Sequence, residues 1–513
     1  MSFRFETILP AARPALDTSA RIAAHGTGVD AGLEQAFVAS GPASAGLEKL
    51  LAGEALCVTT GQQPGLLTGP LFTVYKALTA VSLARALEDA LGRTVVPVFW
   101  VAGDDHDFQE ANHVNLITPS NEVERAELRS RDAADPSLPL YREPLGAGIE
   151  AVLDAVERST PETEFRGEVT AWLERHYRPE ADFASAFAGA MAELLGAHGL
   201  IVLLPTHQAA KRAMAPYLIR VLEQAGGIDR ALGARAKTLE ASGHAVPVPV
   251  GDGSTPVLIE DRLGRDRIVL DGDGFRTRRA KEPWTLESLR GIARNEPERL
   301  SPNVLLRPVV EAALLPTLAY VAGPGELKYL PQAAPLYDAL DVAPQTAVPR
   351  WSARLIEARI QKVLDKYGIG AEDLAGPEGK LEASLVEKDM PPAAVAALHA
   401  LRRTLTEEYD KLERAAGEVD PTLEKTVRSA RNNALGGAAS VEKRLVGHLK
   451  KRNEVVTQQI AKARTSLFPG GKPQERVLNA VPYLVRYGTA FVDAALEASA
   501  EAVPELESAP RKP

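Results

Sequence analysis

The sequence predicts an α/β protein built on a doubly wound parallel sheet, interrupted by two insertions (the second β-rich) and joined to a long antiparallel helical coiled coil. Three observations predict it. From Leu56 to about Ala225, apolar strand-like runs alternate with helical patterns, the order that builds parallel sheets. Residues 226–300 break into short β runs separated by Gly and Asp. From Ala353 to Phe468 the chain turns rich in Ala, Glu, Lys, Arg and Leu, with apolar residues at steps of three and four.

The elements follow in order. Residues 1–50 read as an N-terminal extension with one or two short helices. Leu56–Thr60 reads as a buried strand and Pro70–Leu91 as a helix, with Pro70 in the first turn and Gly92 at the stop. Val95–Val101 is nearly all apolar, as a strand covered on both faces should be. Residues 110–179 look irregular and polar, an insertion in the first part of the core (51–225). A helix near Asp182–His198 leads into the strand Gly199–Leu204, and a helix follows over Gln208–Gln224.

In the β-rich insertion (226–300), Val246–Val250, Pro256–Glu260 and Arg267–Leu270 read as strands. The core resumes over 301–352, with a helix at Asn303–Leu315, a strand at Thr317–Ala322, a Gly-Pro-Gly turn and a helix at Glu326–Leu340. Residues 353–468 form the coiled coil. Asp420 and Pro421 suit the start of its second arm, on the order of 70 Å long at about 1.5 Å per residue, and Gly436-Gly437 weakens that arm locally. Residues 469–513 return to the core and end in a frayed tail from Ala502.

Bulk properties narrow the function. At 513 residues the chain exceeds one ordinary core, and 45% hydrophobic with 25% charged residues is a globular balance. A net charge of −9 argues against a nucleic-acid binder. The lone cysteine, Cys57, rules out a disulfide within the chain and fits a reducing cytoplasm; it reads as a core residue. No secretory h-region opens the sequence and no membrane span is expected.

Two junctions carry candidate chemistry. Gly61-Gln62-Gln63-Pro64-Gly65-Leu66-Leu67-Thr68-Gly69-Pro70 links a strand to a helix, a place where backbone N–H groups converge into an anion site. It is neither a Walker A loop nor a dinucleotide fingerprint. Gln62, Gln63 and Thr68 add polar groups, whereas Lys76, two turns on, reads equally as a solvated lysine. The second strand ends in Asp104-Asp105-His106-Asp107, with Glu110 and His113 near. Strand carboxyl ends in open α/β sheets are where ligands bind. These acids suit Mg²⁺ or a substrate amine, and His106 a phosphate or a proton; the plainer reading is a capping network around Asp107. No zinc site is expected, since no Cys is near and the His spacing is wrong. Asn303, Arg307 and Glu311 share a helical face, and Gly323-Pro324-Gly325-Glu326 makes a further strand–turn–helix junction.

Taken together, these segments resemble the cysteine-adding enzymes of bacillithiol biosynthesis. The resemblance rests on Thr60–Leu71 with Lys76, Pro97–Asp107, Asn303 with Arg307-Pro308, Pro316–Glu326, Pro349-Arg350 before Ser352, and Gln474–Asn479. Pro64 stands where the family pattern has a small residue, and Asp104 where it has Glu, which keeps the charge and shortens the reach.

The resemblance implies a Rossmann-like core with two connective insertions, similar to nucleotidyltransferases and class I aminoacyl-tRNA synthetases, and a coiled coil that forms a homodimer. It implies a ligase joining L-cysteine through its carboxyl to the amine of glucosaminyl-malate, the last step to bacillithiol. ATP is expected by analogy, giving an adenylate or acyl phosphate, with Mg²⁺ as a companion. In that scheme N–H groups near Gly69, with Gln62 and Gln63, hold the nucleotide or malate end. Asp104, Asp105 and Asp107 hold an ammonium or Mg²⁺, His106 steadies the leaving phosphate, and Arg307 clamps a carboxylate. Two alternatives stay open: a non-catalytic coiled-coil dimer scaffold, and a related ATP-dependent ligase with another amine acceptor.

Overall fold

The structure is a computed structural model that describes residues 2–10, 28–118, 120, 122–132, 135–388, 390–452 and 454–503. It contains two compact units: Arg4–Leu355 with Gln474–Pro513, and Met1–Phe3 with Ile356–Pro473.

The larger unit centres on a six-stranded sheet. Its strands are β1 (Phe37–Val38), β2 (Leu56–Gln62), β3 (Val95–Val101), β4 (Ile201–Leu203), β5 (Thr317–Ala322) and β6 (Thr346–Pro349). Their order is β6-β5-β2-β3-β4-β1. All neighbours are parallel except β1, which runs antiparallel to β4. Going outward from β2, the chain adds β3 and β4 on one side and later β5 and β6 on the other. The winding therefore reverses between β2 and β5, the switch point where such sheets open a crevice.

Alternation along the strands puts a core on each face. Leu56 and Val58 pack with Ala80, Leu83 and Leu87 of helix α1 (Leu71–Leu91), whereas Cys57 packs with Val98, Trp100 and Met214 on the other side. Met214 belongs to α2 (Gln208–Glu223). Gly92 ends α1 in the left-handed conformation, at φ 61°. Pro70 is the cap before α1 rather than its first residue.

The insertions differ in part from the expectation. The described residues of 110–179 hold regular elements: strands His113–Ile117 and Val123–Glu127 pair antiparallel, and helices Gly148–Ser159 and Arg166–His176 follow. The second insertion holds a five-stranded antiparallel sheet that includes Ser254–Asp261, Gly264–Asp271 and Gly274–Thr277. Val246–Val250 forms no strand; Pro247 and Pro249 have no N–H for a ladder. A helix over Ala225–Ala241 stands where none was expected. The helix before β5 is α3 (Arg307–Leu314), shorter than Asn303–Leu315.

The smaller unit holds the hairpin of α4 (Pro392–Val419) and α5 (Leu423–Arg452), then the helix Glu454–Leu467. Arg402 pairs with Glu442, Asp410 with Arg431 and Glu413 with Arg428, so the arms run antiparallel. The Asp420 carboxylate accepts the Thr422 N–H at 2.8 Å, three residues before the helix starts at Leu423. The helix runs unbroken through Gly436-Gly437. No described helix is long and apolar enough to cross a membrane. Residues 11–27 of the N-terminal extension and 504–513 of the tail lie outside the described residues.

Candidate active site

Strand register decides where the candidate residues go. Gln62 pairs with Val101 and Thr60 with Val321, so β2, β3 and β5 end level with one another. Their following turns therefore meet. Between them lies a cavity of about 400 Å³ at the switch point.

Most of the expected residues line it. Gly61, Gln62 and Gln63 come from the end of β2, and Asp104 and Asp105 from β3. Gly323, Gly325 and Glu326 come from the turn after β5. Lys76 rises from α1, and Asn303 and Arg307 from the approach to α3. Gly61 is required by packing: a Cβ there would sit 2.9 Å from the Trp100 carbonyl oxygen. At Gly325 a Cβ would meet nothing within 4 Å, which leaves room for a ligand.

Thr68, Gly69, His106 and Asp107 are not brought to the cavity. The expected anion cradle at the start of α1 is sealed by the protein itself. Gly69 N–H returns to the Leu66 carbonyl at 2.9 Å, and Leu71 N–H goes to the Leu478 carbonyl at 2.7 Å. Thr68 N–H is taken by the Tyr177 hydroxyl at 2.8 Å, and the Thr68 side chain is buried. Asp107 caps the short helix Phe108–Ala111 by accepting the Glu110 N–H at 3.0 Å, the plainer role. His106 is half-buried; burial and the Arg265 guanidinium lower its pKa. Gln63 donates to the Asp107 carbonyl at 2.8 Å and so ties the acidic loop to the β2 turn.

The charged lining is a network. Lys76, a candidate binding residue whose plainer reading is a solvated side chain, is buried and donates to the Gly61 carbonyl at 2.6 Å and to the Glu326 carboxylate. Burial lowers its pKa against the pull of Glu326. Glu326 also accepts from the Tyr320 hydroxyl and, at 2.6 Å, from the Gly323 N–H. Burial alone would raise the Glu326 carboxyl, but Lys76 and Arg307 outweigh it and hold it below its usual range.

Arg307 donates to Glu311 and to the Tyr320 hydroxyl, each at 2.8 Å. Its fork is thus engaged inside the protein and is not a free carboxylate clamp. Glu311 is fully buried, not on an exposed face, and burial raises its pKa. Tyr329, beside Arg307 and partly buried, is pushed up to about 12. Asn303 precedes the helix and caps it, accepting the Leu306 N–H at 2.9 Å.

Two buried pairs escaped sequence reasoning. Lys211 on α2 meets Asp104 at 2.5 Å and donates to the Leu300 carbonyl at 2.9 Å. Arg350, after β6, pairs with Glu475 through both guanidinium nitrogens, at 2.5 and 3.0 Å. Glu475 also accepts the Ser352 hydroxyl at 2.8 Å. Arg350 and the neighbouring Arg476 line the cavity.

Replacing Lys211 with Met strands a buried Asp104 carboxylate. The expected loss is about 3–5 kcal/mol of stability, read as a lowered denaturation midpoint. Adding Asp104→Asn should recover most of it. A Lys211→Met variant as stable as the wild type would mean that the pair carries no such energy.

Asp104 pairs with Lys211, Asp105 accepts the His106 N–H at 2.7 Å and Asp107 caps the helix Phe108–Ala111, and no cluster of His, Cys, Asp or Glu suited to a metal ion occurs among the described residues. A second cleft, about 880 Å³, is lined by Asp30, His207, Arg212, Tyr217 and Arg220.

Family models agree with this architecture. The bacillithiol biosynthesis BshC N-terminal Rossmann-like domain matches residues 33–351, and the BshC C-terminal coiled-coil domain matches 353–503. A Salinibacter ruber protein is 33% identical over 452 residues, 87% of this chain and 81% of its own. A Koribacter versatilis protein is 32% identical over 467 residues, 91% and 86% of the two chains. One from Symbiobacterium thermophilum is 32% identical over 499 residues, 94% and 89%. All three carry the name "Putative cysteine ligase BshC".

Proposed function

The chain belongs to the BshC family of bacillithiol biosynthesis, and from that premise we propose that it is a cytoplasmic cysteine ligase. It joins L-cysteine, through its carboxyl group, to the amine of glucosaminyl-malate, completing bacillithiol. The observation that carries this reading is the switch-point cavity, which bears both acidic and cationic groups at the strand ends. An ammonium suits Glu110, whereas carboxylate and phosphate oxygens suit Arg476.

Amide formation from a free carboxylate is uphill, so the cysteine carboxyl needs activation. ATP supplies that chemistry in this reading, with its phosphates toward Arg476 and the open Gly325 turn. Mg²⁺ would travel on those phosphates, held by them more than by protein carboxylates. Fixed positive charge from Lys76 and Arg307 then favours negative charge that develops on the carboxyl oxygen.

Metabolite profiling tests the substrates. A bacillithiol-producing strain that lacks this gene should lose bacillithiol and accumulate glucosaminyl-malate, and this chain should restore both. Accumulation of a different amine would assign another acceptor.

The same reading makes the hairpin a homodimer contact. Leu401, Leu412, Val441 and Leu445 are exposed along it, an apolar series that a second copy would cover. Light scattering should give twice the chain mass; a monomer at micromolar concentration would remove this contact.

A further inference from the structure

We infer that Glu110 is the general base that deprotonates the acceptor amine. This rests on the amide-forming reaction proposed above. At neutral pH an aliphatic amine is mostly an ammonium and has no lone pair for attack. Something in the site must accept a proton as the C–N bond forms.

Carboxylates are the cavity's natural proton acceptors, and it holds Asp104, Asp105, Glu110 and Glu326. Three are already committed. Asp104 is paired with buried Lys211. Asp105 accepts the His106 N–H at 2.7 Å and the Asp107 N–H at 3.3 Å. Glu326 holds Lys76, Tyr320 and the Gly323 N–H. Protonating any of these would break a structural contact.

Glu110 differs: its carboxylate makes no hydrogen bond or ion pair among the described residues. Its backbone is nonetheless fixed, because the N–H is held by the Asp107 cap. It is a placed but uncommitted acid, the arrangement a proton acceptor needs.

The electrostatics agree. Glu110 is exposed overall, at the cavity wall; desolvation there, then the negative charges of Asp107 and Asp105, raise its carboxyl above its usual range. That makes it a stronger base than an ordinary carboxylate. The other charged groups at the cavity are Lys76, Arg265, Arg307, Arg350 and Arg476 from surrounding elements. His106 and His113 flank it on its own segment.

The step balances. The ammonium passes one proton to Glu110; the neutral nitrogen attacks the activated cysteine carbonyl carbon. The C–N bond forms, the bond from carbon to the phosphate-type leaving oxygen breaks with its electron pair departing on that oxygen, and the second proton that the nitrogen sheds on becoming an amide is taken by the departing phosphate-type group.

The test compares wild type, Glu110→Gln and Glu110→Asp with cysteine, ATP and glucosaminyl-malate, and in parallel with hydroxylamine as acceptor. Hydroxylamine is already neutral at pH 7 and needs no base. Glu110→Gln should lower kcat for bacillithiol at least about 100-fold, with the KM for cysteine unchanged and the acidic limb of the pH profile gone. Cysteine hydroxamate formation should stay near wild type, and Glu110→Asp should recover part of the transfer. A wild-type transfer rate in Glu110→Gln, or equal loss of hydroxamate formation, overturns the assignment. Hydroxamate but no amide from the wild type overturns the acceptor reading, and Glu110 with it.

Discussion

Lys76→Met should lower stability by about 3–5 kcal/mol at pH 7 and abolish activity. That cost is typical of breaking a buried ion pair by removing one partner. Lys76 is almost wholly buried, and its ammonium is the counter-charge of a largely buried Glu326. Without it, Glu326 faces Glu311 across Arg307, with one cation left for two carboxylates. The loss is a large share of the roughly 5–15 kcal/mol that holds a typical domain folded.

The pH dependence has a definite sign. The folded Glu326 carboxyl lies below its ordinary value, so its pairing stabilises fully above about pH 4.3. That contribution fades as pH falls through the folded pKa. The gap between wild type and Lys76→Met should therefore narrow in acid. Urea titrations across pH check this; a gap that widens toward low pH would mean that Glu326 is not the partner that matters.

Arg350→Met should cost a similar amount, about 3–5 kcal/mol, and should act at a distance. Arg350 and Glu475 are almost fully buried and paired bidentately. Glu475 opens the segment Gln474–Asn479, whose Leu478 carbonyl takes the first N–H of α1 and whose Asn479 bridges to Pro70. Breaking the pair frees the strap that seals the helix start and carries Arg476 to the cavity. Hydrogen exchange should quicken at Leu71 and over 474–480. Unchanged exchange there, with lowered global stability, would confine Arg350 to a local role.

The parallel core was legible because its signal is local. β2, β3 and β5 are apolar runs ending in glycine or acidic turns, and their register brings those turns together. The buried pairing of Lys76, and Lys211 altogether, were not legible, because a lone lysine on a helix looks solvated. Their partners lie 250 and 107 positions away, and only the folded sheet supplies them. The rest of α1 shows the same effect. Thr79 looks like an outward position, yet its hydroxyl accepts the Trp351 N–H at 3.1 Å.

The cradle at Thr68-Gly69 failed for the opposite reason. A helix start predicts free N–H groups, but a segment about 400 residues later fills them. The missed helix Ala225–Ala241 contains Gly226, Gly227 and Gly233, which read as breakers. Burial of Ile228, Leu232, Ala236 and Leu239 along one side overrides them.

Hydrogen–deuterium exchange on the wild-type chain, with and without cysteine, glucosaminyl-malate and ATP, locates the chemistry directly. If the switch-point cavity is the active site, the ligands slow exchange at Gly61–Gln63 and Gly323–Glu326. Unchanged exchange at both turns, with protection instead around His207–Tyr217 beside the second cleft, would contradict it.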